Sequence, residues 1–266
     1  MAAMAVAGVT SGTAAAEPAC PDFHWIGAAG SGQRTGTDLT AYAGMGKVVY
    51  QSYDELRSDL AQSGKTITAE AVEYPAVDVP ADGSIGGWLG FLGSVGSGTD
   101  ATAKQFATYT AQCPDTMVVL AGYSQGAMVI HRNLYKLADD PHVAAALLIA
   151  DGDRLPTDTT VNMGTAARVS GVGKGVAQEH DILARTNTSP LPKSIGSRTI
   201  SVCDMGDPVC DYNPATSSLT PAALAVHTAY APTQTGPHAW GNQLYGIVAT
   251  HDSPSSAHLQ QTLGTR

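Results

Sequence analysis

Residues 116–129 read TMVVLAGYSQGAMV. Val118 to Ala121 is an uninterrupted apolar run, and Gly122-Tyr123-Ser124-Gln125-Gly126 passes from it straight into helical spacing. This is G-x-S-x-G between a strand and a helix: the glycines relieve crowding around a sharp turn, and the serine hydroxyl projects above a sheet. The stretch therefore predicts an α/β fold and marks Ser124 as a candidate nucleophile. A tight turn of purely structural purpose is the competing reading.

Working outward, four more β-type runs appear at Asp22 to Ala28, Thr66 to Tyr74, Val143 to Ala150 and Arg198 to Cys203. The first run's own strand, Thr116 to Gly122, makes five. Helical spacing fills Gly46 to Gln62, Thr99 to Gln112 and Gln125 to Ala138. Strands alternating with helices predict right-handed crossovers and a five-stranded parallel sheet with helices on both faces. Two segments after strands are unusual. GSIGGWLGFLGSVGSG (83–98) is glycine-rich yet carries Trp88, Leu89, Phe91 and Leu92, and 151–197 is a long insertion between the fourth and fifth strands, a length that favours a functional role such as a lid.

At 266 residues, 43% hydrophobic and 14% charged, residues 17–266 are expected to form one globular domain. The net charge of −9, with no lysine or arginine block, excludes a nucleic-acid footprint and electrostatic attachment to anionic lipid. Residues 1–16 are apolar and then small, like part of a secretory signal lacking its basic start. Four cysteines without a CxxC pair favour an oxidising compartment, so export is expected. No apolar run reaches the roughly 20 residues of a membrane span. There is neither HExxH, nor a clustered ligand set, nor GxGxxG or Walker spacing, so no metal or cofactor is implied. A monomer is the default expectation.

A serine hydroxyl needs a base, and the base needs an orienting group. In hydrolases of this architecture the order is serine, acid, histidine. Of eight histidines, His24, His131 and His142 read as packing or surface residues and His180 lies in the insertion; His227, His238, His251 and His258 stay open. Asp151 and Asp153, in IADGD, compete as the acid, although capping or turn formation explains them as well.

GYSQGA (122–127), CDMGDPVC (203–210) and HTAY (227–230) together resemble the cutinase family, small secreted serine esterases of the α/β-hydrolase fold. The resemblance extends over residues 18–245. It implies Ser124 as nucleophile, Asp207 as acid and His227 as base, leaving Asp153 and His238 as rivals. It also implies a bond between Cys203 and Cys210, and another between Cys20 and Cys113. For the oxyanion, the fold assigns the backbone N–H of Gln125, and the resemblance adds Ser31, in the turn after the first strand. Asp204 and Asp211, beside the implied acid, read as turn formers. The expected activity is hydrolysis of a lipid-like or polyester carboxylic ester through an acyl-serine. Acyl transfer, a thioesterase, a phospholipase A and a non-catalytic lipid-binding module are the alternatives. The insertion departs from compact members and favours discrete acyl substrates over a polymer surface, with Trp88, Leu89, Phe91 and Leu92 either lining an acyl groove or burying as minor core.

Overall fold

The computed structural model describes residues 20–80, 85–179, 189–215, 220–230 and 240–252. The signal-like segment, His180, His238 and His258 lie outside the described residues. Six strands form one parallel sheet: β1 (Phe23–Ala28), β2 (Ile67–Ala71), β3 (Met117–Tyr123), β4 (Val143–Ile149), β5 (Val161–Met163) and β6 (Thr199–Val202), in the order β2-β1-β3-β4-β6-β5. Every residue of β1, β3 and β4 is buried. The almost uninterrupted apolar runs of β3 and β4 follow from a sheet covered on both faces, while β1 includes His24, bonded to Thr68 and Glu70.

Side chains alternate across β3. Met117, Val119, Ala121 and Tyr123 join the core shared with α1 (Lys47–Gln62) and α6 (Trp240–Val248), while Val118 and Leu120 join the one formed with α2 (Ile85–Gln112) and α3 (Gln125–Leu134). Truncating one of these, Leu120→Ala for instance, is expected to cost about 2–5 kcal/mol. Among the described residues no helix is long and apolar enough to cross a membrane.

Helices α4 (Lys193–Gly196), α5 (Pro221–His227) and α6 lie outside the stretches with expected helical spacing, and two further elements differ from expectation. A sixth strand, β5, lies within the insertion; it is three residues long and largely exposed, so it carries no apolar alternation that sequence reading could use. Helix α2 starts at Ile85 rather than Thr99. Its glycines lower helix propensity by about 1 kcal/mol each and disguise the helical spacing of Phe91 and Val95, which is what the packing obeys. Gly98 serves that packing directly, because a Cβ there would stand 2.7 Å from Val129 and 2.8 Å from Tyr74.

Both disulfides are formed. Cys20–Cys113 joins the segments leading into β1 and β3, and Cys203–Cys210 closes the loop after β6.

Candidate active site

Ser124 stands between β3 and α3 with φ 55° and ψ −119°, a conformation that costs a non-glycine residue about 1–3 kcal/mol. The surroundings enforce it. Its N–H donates to the Ile149 carbonyl at 2.9 Å, and its own carbonyl accepts from Ala127 and Met128 at 2.9 and 3.2 Å. A Cβ on Gly122 would overlap the Gly126 carbonyl, and one on Gly126 would overlap the carbonyls of Ala28 and Ala29. The two glycines thus let β3, the start of α3 and the turn after β1 meet.

That contact sets the Gln125 N–H, first in its helix, beside the turn 28–33. The turn is held by Gln33, whose Oε1 accepts from Gly30 N at 2.9 Å, and by Gly32 N donating to the Ala76 carbonyl at 2.8 Å. Ser31 Oγ is buried within it without a hydrogen-bond partner. A buried unsatisfied hydroxyl is expensive, and it becomes useful when a ligand oxygen arrives. Behind the turn, Val77 N donates to Ser94 Oγ at 3.2 Å, Ser94 Oγ donates to Gln125 Oε1 at 3.3 Å, and Gln125 Nε2 donates to the Val77 carbonyl at 3.3 Å. This closed ring ties α2, the 76–78 segment and the head of α3 together.

His227 is the last residue of α5 (Pro221–His227), which begins with proline and is capped by Thr220, whose Oγ1 accepts from Ala223 N at 3.2 Å. Tyr123 holds the imidazole: its ring stacks on His227 at 5.3 Å and its hydroxyl donates to the His227 carbonyl at 2.6 Å. His227 Nε2 lies 3.0 Å from Ser124 Oγ, and Nδ1 lies 3.0 and 2.9 Å from the two oxygens of Asp207. With the Nδ1 proton on the carboxylate side, Nε2 is left free to accept the serine proton.

Asp207 is fully buried, and its Oδ1 also accepts from Val209 N at 2.7 Å and Cys210 N at 3.3 Å. Tyr230, one turn beyond His227, reaches into the same loop, where its hydroxyl accepts from Asp204 N at 2.8 Å and lies 3.5 Å from Cys210 Sγ. Burial and the Asp207 charge push the hydroxyls of Tyr123 and Tyr230 well above the usual phenol range, so both stay neutral.

The rival groups among the described residues are engaged elsewhere. Asp153 pairs with Arg132 at 2.7 and 3.1 Å, Asp151 with the buried His131 at 2.5 Å, and His251 is bonded to Thr250 and Ile247. Of the 83–98 segment, Phe91 is buried in the core, Trp88 and Leu92 pack half-buried against it, and Leu89 is exposed. Sequence reading overlooked Ser94, Tyr123 and Tyr230 as partners of the site. The i, i+3 spacing of His227 and Tyr230 was the available signal for the last of these. Among the described residues no His, Cys, Asp and Glu group is arranged to hold a metal ion.

A parallel sheet flanked by helices, with a serine on a strained strand-to-helix turn, defines the α/β-hydrolase architecture. The chain belongs to the cutinase family: the family model described as Cutinase matches residues 19–240. It is 42% identical over 81 residues to Cutinase 4 of Emericella nidulans, covering 30% of this chain and 34% of that one. Against the acetylxylan esterase of Hypocrea jecorina the identity is 30% over 197 residues, 72% of this chain and 59% of that protein. Against carboxylesterase Culp1 of Mycobacterium tuberculosis it is 28%, covering 77% and 76%. The match therefore spans less than two thirds of the length of the first two. In fold, the chain is similar to a cutinase-like protein from Cryptococcus sp., with a TM-score of 0.58 at 18% identity over 92% of this chain and 98% of that one. The expected resemblance and fold class are borne out, with six strands in place of five.

Proposed function

We propose that the protein hydrolyses carboxylic esters through an acyl-serine intermediate, with Ser124 as nucleophile, His227 as general base and then acid, and Asp207 as the group that orients and stabilises the imidazolium. The observation that carries this reading is the unbroken chain Ser124 Oγ, His227, Asp207, with contacts of 3.0 and 2.9 Å, at the carboxyl end of β3. Ligands of open α/β sheets bind at that end of the strands.

In the first half-reaction Ser124 Oγ attacks the acyl carbon as His227 Nε2 takes its proton. The C=O electron pair moves to oxygen, which the Gln125 N–H and Ser31 stabilise. Collapse expels the alcohol, which leaves with the proton from His227. Water then repeats the sequence and releases the acid. The relatives are named as cutinase, carboxylesterase and acetylxylan esterase, activities that share an ester carbonyl. An apolar acyl or alcohol group suits Leu224, which is exposed one turn before His227 on the same side of α5. Two disulfides that use all four cysteines support work in an oxidising compartment.

The test is covalent labelling with a fluorophosphonate together with turnover of p-nitrophenyl esters of graded chain length. Labelling is expected at Ser124 only, and Ser124→Ala or His227→Ala is expected to lower kcat by a factor on the order of 10⁴–10⁶. An unlabelled wild type removes the acyl-serine reading, and near-normal turnover by His227→Ala alongside loss in His238→Ala moves the base.

A further inference from the structure

The hydrogen bonds around Asp207 continue beyond the disulfide loop into the insertion, and their anchors are the two carboxylates that read as turn formers. Asp211 Oδ2 accepts from Gly206 N at 2.8 Å inside the loop, Oδ1 accepts from Gly173 N at 2.8 Å in the insertion, and its own N–H donates to the Asp207 carbonyl at 3.0 Å. Asp204 Oδ1 accepts from the N–H and hydroxyl of Thr165 at 2.8 and 3.0 Å, and Thr165 Oγ1 accepts from Met205 N at 2.8 Å. Four main-chain bonds follow the same boundary. Cys203 N donates to the Met163 carbonyl at 3.1 Å, Ala166 N to Cys203 at 3.1 Å, Val176 N to Val209 at 2.7 Å and Tyr212 N to Lys174 at 2.8 Å. Gly164, at φ 85°, permits this approach, since a Cβ there would overlap the Cys203 carbonyl.

A disulfide pins the two ends of its loop but leaves it free to swing about the line joining them. Asp207 lies off that line, and so does the contact from Gly206 through Asp211 to Gly173. Each Asp211 oxygen accepts a charge-assisted bond, the stronger kind, so the carboxylate is a firm link between the loop and the insertion.

We propose that residues 161–176 are a brace that sets Asp207 against His227, with Asp211 and Thr165 as the positioning residues through which it acts. The inference rests on the proposed role of Asp207. Asp211→Asn puts an amide group against one of the two donors, and Thr165→Val weakens the tie at the other end of the loop by an independent route, deleting the two hydroxyl bonds to Asp204 and Met205 while the N–H bond to Asp204 stays. For each variant we would measure the melting temperature, kcat and KM for p-nitrophenyl butyrate, and the rate of Ser124 labelling by a fluorophosphonate. A drift of the acid by about 1 Å is expected to cut kcat on the order of 10²-fold with KM little changed. Both variants labelling as fast as the wild type, or activity lost through KM with kcat unchanged, would overturn the brace. Failure of the wild type to label would instead strike the acyl-serine reading beneath it.

Discussion

The two disulfides should separate stability from activity in opposite senses. Cys20–Cys113 closes a sequence separation of 93 and Cys203–Cys210 one of 7. Loop-closure entropy makes the first worth about 4.7 kcal/mol and the second about 2.5 kcal/mol. For a chain of this size each kcal/mol moves the melting temperature by roughly 2–4 °C, so loss of the long bridge should lower it by about 9–19 °C and loss of the short one by about 5–10 °C. Alanine is the replacement of choice, because Cys203 and Cys210 are fully buried and serine would add two hydroxyls to desolvate. Activity should follow the other order. The long bridge sits at the amino end of β3, a seven-residue strand of about 23 Å, while Ser124 follows its carboxyl end. Cys20→Ala with Cys113→Ala should therefore leave kcat within about twofold, below the ~1.4 kcal/mol that a tenfold change represents. Cys203→Ala with Cys210→Ala frees both ends of the loop that holds Asp207, and kcat should fall at least about tenfold. Thermal melts by circular dichroism and ester turnover at 25 °C, where both variants remain folded, make the comparison. Unchanged kcat in the short-bridge variant, with a melting loss equal to that of the long-bridge variant, would refute the reasoning.

Stability should also depend on the His131–Asp151 pair. Burial opposes charge on this imidazole, but Asp151, with Asp153 and Asp158 behind it, outweighs burial and raises the pKa from 6.5 to about 9. A histidine whose folded pKa lies above its unfolded value stabilises fully below the unfolded value and loses that contribution as pH rises through the folded one. The urea midpoint should accordingly decline between pH 6.5 and 9.5 in the wild type and hold steadier in His131→Asn; an equal decline in both would assign it elsewhere. Ser94→Ala should open the ring behind Gln125 and lower kcat about fivefold, the worth of one ordinary hydrogen bond of about 1 kcal/mol, with KM unchanged. A KM effect at constant kcat would place Ser94 against the substrate instead of behind the anion site.

The strand, turn and helix around Ser124 were legible because composition, glycine spacing and the apolar run all agree there. His227 was not separable from His238, His251 and His258 on residues alone, since the contact that selects it spans 103 positions and arises only on folding. The motif resemblance supplied what periodicity lacked. The early start of α2 escaped because glycine argues against a helix locally, and the contacts of Phe91, Val95 and Gly98 overrule it. Asp211 reads as a turn former, and its bond to Gly206 agrees, but its second bond, to Gly173, crosses 38 positions and leaves no local trace in the sequence.

Strand β5 has one more consequence, and it concerns association rather than catalysis. Open sheets end in unpaired N–H and C=O groups that invite a second chain to add a strand. Here the flank of β6, whose residues are all buried, is covered by only three residues, Val161–Met163, too few to offer a long template of their own. Among the described residues the insertion thus ends the sheet on that side with a strand of three residues, one of them polar. A chain trimmed of residues 155–175 would present the bare flank of β6, and it would be exposed to edge-to-edge aggregation whatever became of its active site.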